Sequence, residues 1–200
     1  MSWNEIGKQV LGNEQLRMEP ISESHREAVR AVAMDAEIWR YFVTLVETRD
    51  DFERFFDTCL DDHAAGRRVV FVIIDKAAGR VAGSMSYGNL AEADGRLEIG
   101  WSWLGADFRG RGHNRQAKLL LLEHAFDTMG ALRVEFKTDE LNTRARRALR
   151  NIGAVEEGTL RSFNFMPGGR RRDAVFYSIL AGEWPGVRRL LTGPAATASA

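Results

Sequence analysis

The stretch Phe108-Arg109-Gly110-Arg111-Gly112-His113-Asn114 separates a strand-like run from a long apolar helix pattern, and its chemistry is that of an anion cradle. Gly110 and Gly112 let the backbone turn tightly and approach a ligand closely. The first amides of the helix that follows have no intrahelical acceptors, so they and the helix dipole attract negative charge. Arg109 and Arg111 add planar guanidinium forks, each able to donate two parallel hydrogen bonds to a phosphate. The loop therefore points to a phosphorylated cofactor, although a basic, glycine-rich turn is also an ordinary strand-to-helix connection.

The flanking sequence strengthens the first reading. Residues 97–105, Leu-Glu-Ile-Gly-Trp-Ser-Trp-Leu-Gly, alternate as a strand does, and Gly100 within them signals a bulge or a close backbone approach. Beyond the loop, Ala117, Leu120, Leu121, His124, Ala125 and Thr128 recur at helical spacing, and a strand pattern follows at 133–138. The unit is strand, phosphate-type turn, helix, strand. No Gly-Lys-Ser/Thr follows the glycines, as a nucleotide-triphosphate loop requires. The three-glycine spacing with an acidic ribose anchor of dinucleotide folds is also missing.

These residues resemble the GCN5-related N-acetyltransferase (GNAT) superfamily, whose cofactor loop reads Arg/Gln-x-x-Gly-x-Gly/Ala at the start of the helix after its fourth strand. Here the pattern is Arg109-Gly110-Arg111-Gly112-His113-Asn114, with Asn114 in place of the small residue. The RimJ/RimL-type branch, ribosomal-protein-alanine N-acetyltransferase-like, often carries Asn there and is the closer resemblance. It runs through Leu16-Arg17-Met18-Glu19-Pro20, Glu98-Ile99-Gly100-Trp101, Glu135-Phe136-Lys137-Thr138-Asp139 with Asn142, Gly153 to Gly158, Arg172 to Ser178, and Glu183-Trp184-Pro185. The resemblance implies an α+β GNAT (acyl-CoA N-acyltransferase) fold: a mixed, mostly antiparallel central sheet flanked by helices, with splayed strands at the cofactor cleft.

Composition agrees with one compact enzyme. A chain of 200 residues, 44% hydrophobic, is long enough to bury a substantial core, and nothing marks an internal boundary. A single N-acetyltransferase domain is expected over 1–191, with a small-residue tail at 192–200 read as disordered. Basic and acidic residues balance at 28 each, which argues against a nucleic-acid-coating protein. Two arginine clusters, Arg144, Arg146, Arg147 and Arg150, then Arg170 to Arg172, read as solvated surface or as charge near an anionic substrate or the cofactor's nucleotide end. Cys59 is the only cysteine, which precludes an internal disulfide, and His25, His63, His113 and His124 lack ligand spacing, so no metal site is expected. No stretch reads as a leader or a membrane span, and a cytoplasmic location is expected.

The remaining pattern predicts a first strand at 16–20, two helices over 25–63, a strand pair at 69–75 and 80–87, a helix at 142–151, a hairpin of 155–165 with 170–180 around Pro167-Gly168-Gly169, and a last helix at 183–191. The resemblance implies direct attack of a primary amine, a protein N-terminus or a small molecule, on the thioester of acetyl-CoA. Two alternatives stay open: a non-catalytic acyl-CoA-binding or sensor module, and an enzyme that uses succinyl-CoA. Cofactor contacts are expected from Trp101, Ser102, Trp103, Arg109, Gly110, Arg111, Gly112, His113, Asn114 and Asn142, the last also readable as a helix N-cap. Glu157, by match to RimL-type enzymes, and Glu98, on the strand before the loop, are the candidate bases. The positions where relatives carry an acid-bearing Tyr or Ser hold Leu149 and Ala145. Trp39 and Tyr41 are candidate acceptor-site residues, and relatives suggest a homodimer.

Overall fold

The computed structural model describes residues 3–193. Among these residues eight strands form one sheet: β1 (Leu11–Gly12), β2 (Leu16–Pro20), β3 (Arg68–Asp75), β4 (Arg80–Ala91), β5 (Arg96–Leu104), β6 (Arg133–Asp139), β7 (Val155–Phe165) and β8 (Arg171–Leu180). Their order is β1-β2-β3-β4-β5-β6-β8-β7, and every pairing is antiparallel except that of β5 with β6. Six α-helices among the described residues flank the sheet: α1 (Arg26–Ala33), α2 (Ala36–Trp39), α3 (Arg49–Ala64), α4 (His113–Glu123), α5 (Thr143–Asn151) and α6 (Trp184–Thr192). The mixed, mostly antiparallel sheet with helical flanks is the expected α+β architecture.

Strand alternation splits the apolar residues between two cores. Phe71, Tyr87, Ile99, Val134, Phe136 and Tyr177 point to one face, where α4, α5 and α6 bring Leu121, Leu149 and Trp184. Val70, Val72, Val81 and Trp103 point to the other, which α1 to α3 cover with Val29, Trp39, Phe52 and Phe56. Those helices lie over the β3–β5 half, and β6, β8 and β7 carry no comparable cover. The sheet therefore leaves an open hollow on this second face, beside β5.

Local signals explain most boundaries. Thr48 and Asp51 form a reciprocal capping box that starts α3, and Asn142 Oδ1 accepts from Ala145 N at 3.0 Å to start α5. Gly153 ends α5 in a left-handed conformation, φ 85°. The hairpin and the last helix lie where the pattern put them.

Four expectations need correction. Residues 25–63 hold three helices rather than two, because Asp35 caps a new short helix and the chain after Trp39 is irregular until Thr48. β4 extends to Ala91, since its second half pairs with β5. The helix after the loop passes into a π-helical turn at His124–Thr128. A 3-10 helix at Trp3–Lys8 and the two-residue β1 were not anticipated, being too short for a periodic signal. Of the tail predicted at 192–200, Thr192 closes α6, and residues 194–200 lie outside the described residues.

Candidate active site

β5 and β6 pair through only three positions, Arg96 with Arg133, Leu97 with Val134 and Glu98 with Glu135, and then separate. The cause is a bulge in β5. Ser84 faces Trp103 and Ser86 faces Gly100, so Trp101 and Ser102 oppose Met85 alone. Trp101 adopts φ 49° and lays its indole on Gly88, where an added Cβ would stand 2.3 Å from the ring. Beyond Glu98, β5 pairs only with β4, so the backbone groups lining the fork are free to bind a ligand. Ser102 Oγ bonds back to the Gly100 carbonyl at 3.3 Å. Trp103 is not a fork residue: the extra residue turns it into the second core beside Trp39, ring centroids 6.1 Å apart.

The glycine-rich loop follows at the far end of β5. Gly110 (φ 74°) and Gly112 (φ 85°) are both left-handed, and nothing lies within 4 Å of a Cβ at either, so the ground above them is open. Among the described residues, the amides of Gly110, Arg111, His113 and Asn114 donate to no protein acceptor, and the first bond of α4 runs from Gln116 N to Gly112 O at 3.0 Å. Free amides in this arrangement are what the sequence leads one to expect of an anion cradle.

The loop's side chains, however, are occupied differently from the expectation. Arg109 turns inward, donating from Nε to the Leu104 carbonyl at 2.9 Å and from Nη2 to Asp35 Oδ2 at 2.6 Å. These bonds tie the loop to the end of β5 and to the residue that caps α2. His113 packs edge-on against Phe108, and its Nε2 lies 2.7 Å from Asp75 Oδ2. Asn114 Oδ1 accepts from Lys118 Nζ at 2.7 Å, and Lys118 is buried, which pulls its pKa down to about 8. Arg111 stays exposed on the loop. Asn142 serves as the N-cap of α5.

On the hollow face, Glu98 is buried at the point where the fork opens. Its Oε2 accepts from Asn89 Nδ2 at 2.6 Å and from Lys137 Nζ at 3.2 Å. Lys137 in turn stands over the rings of Phe163 and Phe176, 5.3 and 5.9 Å from their centroids. Glu157 is elsewhere. It sits on β7, with β6 and β8 between it and β5. Arg133 grips both of its oxygens and Ser178 Oγ donates to it at 2.8 Å. The Arg133 hydrogen bond above all holds its carboxyl below the usual range, which makes it a weak proton acceptor.

A cleft of about 240 Å³ lies on the same hollow face, lined by Phe42, Phe55, Thr58, Asp62, Arg68 and Trp101 among others. Trp39, expected at the acceptor site, is instead 1% exposed, with its Nε1 donating to Ala33 O at 2.7 Å. Tyr41 packs against Arg40 outside the cleft. Phe55 and Arg68 escaped the sequence reading. The available signal for Arg68 was a charge heading an otherwise apolar strand, and its guanidinium lies over the Trp101 ring, 5.1 Å from the centroid. Tyr177 and Cys59 take no part. The Tyr177 hydroxyl donates to Glu156 at 2.7 Å, and burial pushes the Cys59 thiol up to about 11.

A forked sheet with a loop of free amides at one end of the fork and a buried carboxylate at the other is the architecture of an acyl-CoA-dependent N-acyltransferase. The chain belongs to the GNAT acetyltransferase family: residues 15–155 match the model of the acetyltransferase (GNAT) domain. It is 28% identical over 157 residues to an uncharacterized N-acetyltransferase, p20, of Bacillus licheniformis, covering 76% of this chain and 85% of that one. It is 32% identical over 108 residues, 54% of this chain and 58% of the other, to YdaF of Bacillus subtilis, whose name assigns it provisionally to ribosomal N-acetylation. The solved structure of a GCN5-related N-acetyltransferase from Brucella melitensis superposes with a TM-score of 0.84 at 27% identity, over 91% of this chain and 83% of that one. The protein is thus an N-acetyltransferase enzyme. Among the described residues no helix is long and apolar enough to cross a membrane, and no group of metal-ligating side chains is found.

Proposed function

We propose that this enzyme transfers an acetyl group from acetyl-CoA directly to a primary amine, with Glu98 as the base. The observation that carries this reading is the position of Glu98: a buried carboxylate at the mouth of the fork, on the hollow face, one strand length from the amide cradle. From Glu98 to the loop, β5 spans roughly 20 Å. That length suits a pantetheine arm stretched along the free edge of β5 with its pyrophosphate on the amides of residues 110–114. The fit is supported by the two left-handed glycines, which leave no Cβ in the way.

Acetyl-CoA supplies an activated carbonyl whose thiolate leaves when the amine nitrogen bonds to carbon. The chain's own groups position and neutralise. Fork amides orient the thioester and stabilise the oxyanion. Glu98 takes the proton that the amine gives up, and Asn89 and Lys137 hold its carboxylate towards the hollow. The 240 Å³ cleft receives the acceptor against Phe55 and Trp101. Glu98→Gln should lower kcat by about 10²- to 10⁴-fold and leave the coenzyme A dissociation constant within twofold. Unchanged kcat would remove Glu98 from the mechanism.

The acceptor is a protein N-terminus, as the YdaF likeness and the RimJ/RimL-type motifs suggest, or a small-molecule amine. Succinyl-CoA remains the alternative donor. A cytoplasmic homodimer joined through β7 is the assembly we favour, because this edge strand exposes Leu160 and Phe165.

A further inference from the structure

The hollow face holds one cation too many. Glu98, Asp139 and Arg172 are buried there, Lys137 is half-buried beside Glu98, and Arg170 is exposed at the rim, while Arg68, also buried on this face, pairs with Asp62 in the cleft. Glu98 is committed to Lys137 and Asn89. Asp139 is committed to Arg170 and to the Leu141 amide. Arg171, the third member of the run, bonds Ser162 and stacks on Phe165.

Arg172 is left over. It is 8% exposed, its Nε is enclosed without a hydrogen-bond partner, and its side chain forms no ion pair among the described residues. Its guanidinium faces the Phe163 ring at 5.9 Å, the same ring that Lys137 approaches. The geometry is built by β7. The register between β7 and β8 shifts between Leu160 and Asn164, and Ser162 takes φ 53°. This bulge carries Phe163 across β8 onto Lys137, Phe176 and Arg172.

Burial without a carboxylate in contact is costly for a guanidinium, and burial above all shifts Arg172 down from the usual arginine range, against the pull of Asp139 and Glu98 farther off. A ligand carboxylate would satisfy both its charge and its fork. Neutral amines offer nothing to it.

We propose that Arg172, beside Lys137, binds a carboxylate carried by one of the two reactants. The carboxylate belongs either to the acceptor, as in an amino acid or a peptide that bears one near the reacting amine, or to the far end of the acyl chain of a dicarboxylic acyl-CoA. This selectivity rests on the N-acyltransferase reading above and deepens it. Phe163 packs the aliphatic part of the same reactant, and the base Glu98 lies on the other side of Lys137.

The test compares the intact protein with Arg172→Met and Arg172→Lys, after melting curves show which variants fold. In the acceptor arm, thiol release from acetyl-CoA is followed with α-amino acids and dipeptides, each beside its uncharged amide. In the donor arm, acetyl-CoA is compared with succinyl-CoA on one amide acceptor. A binding arm titrates N-acetylated amino acids and their amides into the coenzyme A complex, and succinyl-CoA and acetyl-CoA into the free protein.

One arm should show the carboxylate preferred by about 10- to 100-fold in kcat/KM and in affinity. Arg172→Met should abolish that preference, chiefly through KM, with the uncharged partner unaffected; Arg172→Lys should restore part of it. The arm that responds identifies the reactant. Equal handling of carboxylate and amide in both arms, or a preference that survives Arg172→Met, overturns the proposal. Absence of turnover with every acceptor counts against the acetyltransferase mechanism instead, and the binding arm still decides the role of Arg172.

Discussion

Asp35 joins two segments 74 residues apart: its Oδ2 accepts from Arg109 of the glycine-rich loop at 2.6 Å, while its Oδ1 accepts from Glu37 N at 3.1 Å and caps α2. One carboxylate therefore starts α2 and braces the glycine-rich loop. Asp35→Ala should cost about 1–3 kcal/mol of stability through the lost cap and ion pair. Coenzyme A affinity should also fall about tenfold. Calorimetry of unfolding and titration of coenzyme A read the two effects, and an unchanged dissociation constant would mean that the loop keeps its shape unaided.

Gly112 tests the cradle directly. A Cβ there meets no neighbour within 4 Å, so the penalty on the free protein is chiefly conformational, about 1–2 kcal/mol for a residue held at φ 85°. Gly112→Val should weaken coenzyme A binding at least tenfold. Gly112→Asn should do less harm, because Asn tolerates the left-handed region. Equal losses for the two would point to a steric cause.

The two carboxylates proposed from sequence now carry different predictions. Glu98→Gln should remove most of kcat. Glu157→Gln should lower it severalfold at most, because Arg133 and Ser178 hold that carboxylate away from the fork. Rates for both variants under saturating acetyl-CoA decide the matter, and the reverse ranking would restore Glu157 as the base.

Lys118 predicts a pH effect. Its pKa is about 8 in the folded chain and about 10.4 when unfolded, because burial disfavours the charged form. Between these values the unfolded state binds more protons than the native one, so its contribution to stability rises with pH across that window. Below pH 8 the folded protein bears the full cost of the buried charge, of order 3 kcal/mol. Lys118→Met should raise the melting temperature most at pH 6 to 7, and the advantage should shrink towards pH 10. A pH-independent difference would locate the effect in packing alone.

Most of the fold was legible because its signals are local. Alternation at 97–104 and 133–139, the glycine that ends α5 and the Pro167-Gly168-Gly169 turn all act within a few residues of themselves. The fork was legible in part. Gly100 flagged an irregularity, but the residue that flips is Trp101, and Gly88 on the neighbouring strand is what makes room for it. Trp39 and Trp103 looked like pocket residues for the same reason that they are core residues: large aromatic surface serves either purpose, and only packing separates the two.

The chain order of turns, strands and caps, and the left-handed glycines that free the loop amides, follow from the sequence by itself, because each is a conformational preference of consecutive residues. The tertiary structure alone decided which carboxylate faces the fork, that Arg109 pairs with Asp35, and that Arg172 has no ion-pair partner among the described residues. Those outcomes depend on residues brought together from distant strands, where the pairing of each charge is settled by which other charges reach it first.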